Sequence, residues 1–173
     1  MKIELTAGDV RLRKFRQTDS VRMVELANNE NISRNLRDGF PYPYTLRHAK
    51  DFIDRCLSMH PPTIFAIEYK GEYVGNIGLM KGVDVYRKSA EVGYFIGEEY
   101  WGKGIATIAL NLACEYGFNH LDVIRIHAGV YEHNLASQRV LEKAGFTKEG
   151  VFKNAVFKQE KFWNEVRYAK IRL

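Results

Sequence analysis

Residues 91–107 read EVGYFIGEEYWGKGIAT, in which a strand-like run meets a glycine turn and the start of a helix-like segment. Gly102 and Gly104 lie in the turn, where glycine permits a positive φ and the close approach of a ligand. A helix that begins directly after such a turn points several backbone N–H groups, and the positive end of its dipole, at one spot. The segment therefore predicts a phosphate or pyrophosphate site. A tight turn without a ligand is the alternative that these residues alone leave open.

Two common phosphate motifs are incomplete in this turn. In G-x-x-x-x-G-K-[ST], Gly97, Gly102 and Lys103 match, but Gly104 replaces the Ser or Thr that holds magnesium. In G-x-G-x-x-G, Gly102 and Gly104 match, but Thr107 replaces the third glycine. The turn therefore argues against hydrolysis of a nucleoside triphosphate and against a Rossmann-type dinucleotide site.

Hydrophobic periodicity predicts regular elements on both sides of the turn. Strands are predicted at residues 10–15, 63–69, 73–80, 89–96 and 124–130, around residue 151, and at 166–171. One helix is predicted from a cap at Thr18 to about residue 29, and a second from a cap at Thr45 to the residues before Pro61. A third begins at the glycine turn and ends near residue 118, and a fourth runs from a cap at Asn134 to Gly145. The two prolines of RDGFPYPYT, residues 37–45, exclude regular structure there. The order β-α-α-β-β-β-α-β-α-β-β predicts an α/β (α+β mixed) fold, a single twisted sheet with helices on both faces.

Composition limits the classes of function. The chain has 173 residues, 46% of them hydrophobic, which predicts one domain over residues 1–173 with a sizeable core. The net charge of +5 comes from scattered Lys and Arg, and the basic cluster at residues 11–16 is too short for the stripe typical of nucleic-acid binders. The five histidines show no metal-binding spacing, so no metal is expected.

Cysteines and apolar runs bear on the compartment. Cys56 and Cys114 stand among apolar residues at helical spacing, which favours buried thiols over a disulfide or a nucleophile. The N-terminal segment MKIELTAGDVRLRKF has no apolar core of a signal peptide, and no apolar run is long enough to span a bilayer. These observations predict a cytoplasmic protein without a membrane partner.

Two landmarks together make the chain resemble the GNAT superfamily of acetyl-CoA-dependent N-acetyltransferases. WGKGIA, residues 101–106, occupies the superfamily's pyrophosphate motif Q/R-x-x-G-x-G/A, with Trp101 at the Q/R position. NLASQRVLEKAGF, residues 134–146, follows after an intervening helix and strand. The resemblance covers the whole chain and is closest to the branch that acetylates ribosomal-protein N-termini, in which YWGKGxAT is common.

The resemblance implies a GNAT fold, a mostly antiparallel sheet whose central strands, residues 90–96 and 124–130, splay apart. The pantetheine arm of acetyl-CoA, the cosubstrate, would lie in that gap on the backbone of Phe95 and Ile96. The glycine turn would bind the pyrophosphate through seven residues: Trp101, Gly102, Lys103, Gly104, Ile105, Ala106 and Thr107. Asn134 would reach the coenzyme from the far side as well as cap its helix. Members of the superfamily often form dimers, so a homodimer is among the assemblies implied.

N-acetyl transfer requires a deprotonated amine, a polarised thioester carbonyl and a stabilised thiolate. On the resemblance, Glu91 is the candidate base, acting through a water, and Ser137 is the candidate acid for the thiolate. The alternatives are a surface carboxylate that answers Lys88 or Arg87, and an ordinary hydroxyl in the first helical turn. Backbone N–H groups of strand 90–96 would polarise the carbonyl.

The C-terminal hairpin differs from that of some members of the branch, which carry a second carboxylate there. Ala155, Val156 and Phe157 stand at the corresponding positions here, which leaves Glu149 or Glu160 as substitutes. A single apparent base favours a protein or peptide α-amine as the acceptor, because an α-amine is partly neutral at pH 7. A small amine or polyamine is the alternative acceptor.

The aromatic segment at residues 37–44 is expected either to form one wall of the acceptor site or to pack on the core between two helices. Two other classes of function are alternatives on the sequence alone. They are a coenzyme-binding domain that has lost catalysis and a nucleic-acid or ribosome-binding module.

Overall fold

Eight strands form one sheet, in the order β1-β2-β3-β4-β5-β6-β8-β7, in a computed structural model that describes residues 5–173. The strands are β1 Leu5–Ala7, β2 Val10–Arg13, β3 Ile64–Tyr69, β4 Glu72–Lys81, β5 Ser89–Ile96, β6 Arg125–Tyr131, β7 Thr147–Lys158 and β8 Lys161–Ile171. The helices are α1 Asp19–Ala27, α2 Glu30–Ser33, α3 Leu46–Leu57, α4 Ile105–His120 and α5 Leu135–Lys143. The first four residues of the predicted domain and of the N-terminal segment discussed above lie outside the described residues.

The architecture confirms the predicted fold class. Among neighbouring strands of residues 5–173, β5 and β6 alone run parallel, so the sheet is mostly antiparallel. Strand β1 and helix α2 were not predicted, because elements of three and four residues are too short to show a period. Within the described part of the chain, no helix is both long and apolar enough to cross a membrane.

Helices cover both faces of the sheet. Side chains alternate between the faces along each strand. On one face Val92 of β5 and Leu141 of α5 are buried in the core that α4 helps to form. On the other face Phe95 of β5 and Ile53 of α3 are buried in a second core with α1. Each odd-numbered side chain of β5 therefore faces α1 and α3, and each even-numbered one faces α4 and α5.

Strands β5 and β6 separate soon after they meet. They pair at three positions, the last of which joins Glu91 to His127. Beyond this pair β5 continues to Ile96, bonded to β4, and β6 continues to Tyr131, bonded to β8. The two strands thus enclose a V-shaped opening, called the cleft below, whose apex lies at Glu91 and His127.

Helix caps agree with the sequence in two of three cases. Thr45 and His48 form a reciprocal capping box at α3, and Asn134 accepts a hydrogen bond from the Ser137 N–H at α5. The prediction that Thr18 caps α1 is wrong, since its side chain makes no cap hydrogen bond. Its backbone is already helical, at φ −65° and ψ −17°, whereas a capping side chain needs an extended residue.

A buried ion cluster fastens α1 to the sheet. The Arg13 guanidinium of β2 donates two hydrogen bonds to Asp19 of α1, at 2.8 and 2.9 Å, and one to Glu68 of β3, at 2.6 Å. All three side chains are nearly inaccessible to solvent. The cluster sets where α1 lies on the sheet, and hence where the segment that follows α2 begins.

Both cysteines are free and buried, as predicted. Burial raises the pKa of the Cys56 thiol to about 11 and that of the Cys114 thiol to about 12. Both thiols therefore remain protonated at neutral pH, a state in which neither is a nucleophile.

Candidate active site

The glycine turn has the geometry that its sequence predicts. Gly102 and Gly104 adopt φ values of +74° and +77°, a conformation that favours glycine. Helix α4 begins at Ile105 without a side-chain cap, so the N–H groups of its first turn are open to an anionic ligand. A Cβ added at either glycine would meet open space. The Trp101 indole donates to the Ile96 carbonyl (2.7 Å) and so ties the turn to the end of β5.

The register of β4 and β5 decides which backbone groups of β5 face the cleft. The Gly97 N–H donates to the Val74 carbonyl at 2.9 Å, and the register between the strands is unbroken down to residue 90. Because hydrogen-bonded pairs alternate in an antiparallel ladder, the N–H and C=O of Phe95 point at β4. Those of Tyr94 and Ile96 point at the cleft instead. Of the two residues predicted to bind the pantetheine arm, the structure thus places the backbone of Ile96 at the cleft and that of Phe95 away from it.

Helix α5 brings Ser137 to the cleft from the β6 side. The Ser137 N–H donates to Asn134 Oδ1 (3.3 Å), and its hydroxyl lies 2.8 Å from the Tyr94 phenol oxygen. Burial raises the pKa of Tyr94 to about 12. Tyr94 was missed in the sequence. Its one signal is a hydroxyl-bearing side chain at an even-numbered position of β5, between the buried Val92 and Ile96.

Glu91 lies at the apex of the cleft, on the α1–α3 face. Its carboxylate forms an ion pair with Arg37 at 2.5 Å, with the Glu91 side chain 26% exposed. Neither predicted partner contacts it, because Lys88 binds Asp122 and Arg87 donates to a backbone carbonyl in its own loop. The alternative interpretation of Glu91 as the partner of Lys88 or Arg87 is therefore wrong.

Two further features surround Glu91 on the same face. Gly93, two residues along β5, is exposed and has open space where a side chain would be. His127, across the apex, has a buried Nδ1 without a hydrogen-bond partner. Burial lowers the pKa of this imidazole from its ordinary value, although the Glu91 charge opposes the shift, and so favours the neutral form of His127. The apex thus combines a carboxylate, an imidazole and free space.

The C-terminal hairpin contributes a carboxylate at a position that the sequence did not suggest. Glu149 pairs with Arg125, and Glu160 lies exposed in the turn between β7 and β8. Glu165 of β8, by contrast, lies over Gly129 of β6, where a Cβ would collide with its carboxylate. Its partner is Arg167, two residues along the same strand, at 2.5 Å. Only the pairing of β6 with β8 brings this carboxylate near the cleft.

The segment at residues 37–44 borders the apex of the cleft and also packs on the core. Arg37 reaches Glu91, and Asp38 receives a hydrogen bond from Lys158 of β7 at 2.8 Å. The Phe40 ring packs against that of Tyr44 at a tilt and edge-to-face against that of Phe95 of β5. Tyr44 is buried and its hydroxyl contacts a methionine sulfur of α1. The first part of the segment thus borders the apex of the cleft, and the last part packs on the core.

Metal ligands do not cluster in the described residues. Across residues 5–173, no group of three or more His, Cys, Asp or Glu side chains is placed to hold an ion. The polar groups at the cleft include Glu91, His127, Ser137, Tyr94 and backbone amides.

Comparisons with known proteins identify the family of the chain. A family model described as an acetyltransferase (GNAT) domain matches residues 9–147. Spermidine N(1)-acetyltransferase of Escherichia coli K12 is 30% identical over 163 residues, which cover 94% of this chain and 86% of the relative. The probable N-acetyltransferase YjcK of Bacillus subtilis is 45% identical over 78 residues, which span 43% of that relative.

Solved structures show the same fold. The GNAT-family acetyltransferase from Bacillus anthracis has a TM-score of 0.85 at 24% identity, with 98% of both chains covered. RimL, a ribosomal L7/L12 α-N-protein acetyltransferase in complex with coenzyme A, has a TM-score of 0.85 at 20% identity, again with 98% of both chains covered.

Proposed function

Because this chain belongs to the GNAT acetyltransferase family, and is thus an acetyl-CoA-dependent N-acetyltransferase, we propose that it acetylates the α-amine of a protein or peptide. The observation that carries the proposal is the separation of β5 from β6 beyond Glu91 and His127. This separation groups the glycine turn, the Ser137 hydroxyl and the Glu91 carboxylate around one opening. The turn supports coenzyme binding on the α4–α5 face, and Glu91 supports amine binding on the other.

The residues of the cleft divide the chemistry between its two sides. Glu91, acting through a water, takes the proton of the incoming ammonium, since a protonated amine has no lone pair with which to attack. Backbone N–H groups of β5 that face the cleft, such as that of Tyr94, stabilise the developing oxyanion. Ser137 stabilises the thiolate that leaves. Acetyl-CoA itself supplies the activated acetyl group.

The coenzyme side is assigned to the residues that the turn and α5 present. The N–H groups of the first α4 turn, from Ile105 to Thr107, would bind the pyrophosphate with the backbone of Gly102 and Gly104. Lys103 is exposed beside them and would add a positive charge. Asn134 would reach the coenzyme from the α5 side while it caps that helix.

Charges around the apex favour an acceptor with a single amine. Four carboxylates of this region each have a basic partner, namely Asp38 with Lys158, Glu91 with Arg37, Glu149 with Arg125 and Glu165 with Arg167. A polyamine would have to displace several of these basic partners at once. An α-amine, with a pKa of about 7.7–8.0, needs one base, because roughly a tenth of it is already neutral at pH 7.

A polyamine is the second candidate acceptor, and a specific observation favours it. The relative from Escherichia coli that aligns with 94% of this chain acetylates spermidine, according to its name. For this protein to do the same, the ammonium groups of spermidine would have to displace Arg37 and the other basic partners from the carboxylates of the apex.

The acceptor is tested with acetyl-CoA and a panel of three substrates. These are peptides with a free N-terminus, the same peptides with a blocked N-terminus and one lysine, and spermidine. Mass spectrometry of the products should show acetylation of the free peptides at the α-amine, faster than that of the blocked ones. Equal rates for blocked and free peptides would contradict the α-amine proposal. A kcat/KM for spermidine above that of every free peptide would replace it with the polyamine.

A further inference from the structure

We propose that Tyr94 is a positioning residue for Ser137, and that its phenol donates a hydrogen bond to Ser137 Oγ so that the serine hydrogen points at the thioester sulfur. The inference rests on the proposed function and extends it to a residue that lies on the opposite side of the cleft from Ser137. The observation behind it is the 2.8 Å contact between the two hydroxyl oxygens.

The contact crosses the cleft at the point where the strands have separated. Tyr94 belongs to β5, three residues beyond the last residue that pairs with β6. Ser137 belongs to the first turn of α5, which follows β6. The two residues are 43 positions apart, and their contact bridges the two sides of the opening. A group held there lies between the glycine turn of α4 and the apex carboxylate of Glu91.

The chemistry of the two hydroxyls sets the direction of the hydrogen bond. A phenol is a stronger acid than an aliphatic alcohol, so Tyr94 is the better donor of the pair. Burial raises the pKa of Tyr94 to about 12, so the phenol keeps its proton throughout the neutral range. The Ser137 N–H is meanwhile held by Asn134 Oδ1. Ser137 Oγ therefore accepts from Tyr94, and its own hydrogen is free for a third group.

That third group is the sulfur released when the thioester breaks. The C–S bond breaks, its electron pair stays on sulfur, and the Ser137 hydroxyl donates a hydrogen bond to it. The sulfur takes its proton from solvent as coenzyme A leaves, and the proton of the amine leaves through Glu91 and water. Hydrogen bonds in a chain polarise one another, so the Tyr94 phenol strengthens the donor that faces the sulfur.

The first test measures the acidity of the bound thiol, independently of acetyl transfer. Coenzyme A bound to the protein is titrated by the ultraviolet absorption of its thiolate, with the complex of desulfo-coenzyme A as the blank that removes tyrosine absorption. The pKa of the bound thiol should lie below that of free coenzyme A in the wild type. It should rise in both Tyr94→Phe and Ser137→Ala.

Tyr168→Phe is the matched control. Tyr168 is a buried tyrosine whose hydroxyl also contacts α5, at Glu142 (3.1 Å) and Gln138 (3.4 Å), but makes no hydrogen bond with Ser137. If Tyr94 merely braced α5, the two phenylalanine variants would behave alike. The proposal instead expects the pKa of the bound thiol to remain at the wild-type value in Tyr168→Phe.

Kinetics supply the second test. Tyr94→Phe should lower kcat about tenfold with little change in the KM for acetyl-CoA, a size typical of a lost hydrogen bond in an active site. The double variant Tyr94→Phe/Ser137→Ala should be no slower than Ser137→Ala alone, because Tyr94 acts through Ser137. A wild-type thiol pKa in Tyr94→Phe, or additive losses in the double variant, would overturn the inference while leaving the proposed function intact. If coenzyme A does not bind the wild-type protein, both the inference about Tyr94 and the proposed function are wrong.

Discussion

At the scale of single residues, Glu91 carries the chemistry that the acceptor side requires. It lies at the last paired position of β5 and β6, and its present partner is the largely exposed Arg37. An incoming ammonium can displace a guanidinium from a solvent-exposed pair at little cost, since such pairs contribute about 0–1 kcal/mol. Glu91 is thus free to exchange one cation for another.

The prediction for Glu91→Gln follows from this role. The variant should lose on the order of 10²–10⁴-fold in kcat at pH 7, because the amide cannot accept the proton. The loss should shrink as the pH rises, since the amine then deprotonates without help. Initial rates measured with saturating acetyl-CoA between pH 6 and about pH 10, where an α-amine is fully neutral, follow the change.

Glu149→Gln is the control for Glu91→Gln. Glu149 is also paired with an arginine, Arg125, whose side chain lies on the same face of the sheet as that of Glu91. Its loss should leave kcat near the wild-type value. Full activity of Glu91→Gln at pH 7 would remove Glu91 from the reaction, and an equal loss at every pH would make it a positioning residue.

At the scale of elements, the N-terminal cap of α3 is expected to contribute measurably to the stability of the protein. Thr45 has an extended backbone, and its hydroxyl accepts from the His48 N–H at 3.3 Å while His48 Nδ1 accepts from the Thr45 N–H at 3.0 Å. Thr45→Ala should therefore cost about 1 kcal/mol, which lowers the Tm by about 2–4 °C in a protein of this size. Thermal unfolding monitored by circular dichroism measures the change.

Thr18→Ala is a matched control for the same effect. Thr18 also precedes a helix, but its side chain makes no cap hydrogen bond. Its replacement should move the free energy of unfolding by less than about 0.5 kcal/mol. Equal destabilisation by the two alanines would show that the cap geometry at α3 does not matter to stability.

At the scale of the whole molecule, coenzyme binding is expected to stabilise the native state by mass action. At about 100 times the dissociation constant the gain is about 2.7 kcal/mol, which raises the Tm by roughly 5–10 °C. Gly104→Val should abolish this rise, because its side chain would occupy the open space that the ligand needs. The Tm with and without millimolar coenzyme A is the measurement.

Gly71→Val controls for backbone strain in that experiment. Gly71 has a φ of +85° and open space around it, but it lies in the β3–β4 turn rather than at α4. Both valines should lower the Tm of the free protein, since each forces a branched residue to positive φ. The rise with coenzyme A should persist in Gly71→Val. A wild-type Tm that does not change with coenzyme A would contradict coenzyme binding.

Local signals in the sequence determined the elements and the turn. The glycines at 102 and 104, the caps at Thr45 and Asn134, and the bounds of β5 depend on interactions within a few residues, which a sequence displays directly. The failure at Thr18 has a tertiary cause. The Asp19 carboxylate beside it accepts from Arg13 and from the Arg16 N–H, which replaces a threonine cap with a contact to the sheet.

Contacts at the cleft were decided by the tertiary structure. Arg37 and Glu91 are 54 residues apart, and Tyr94 and Ser137 are 43 apart, so no periodicity links either pair. Their contacts depend on the register of β4 with β5 and on the divergence of β5 from β6. The register likewise turns the backbone of Phe95 away from the cleft. The sequence alone determined which residues could do the chemistry, and the sheet decided which of them meet, because strand pairing joins residues that lie far apart along the chain.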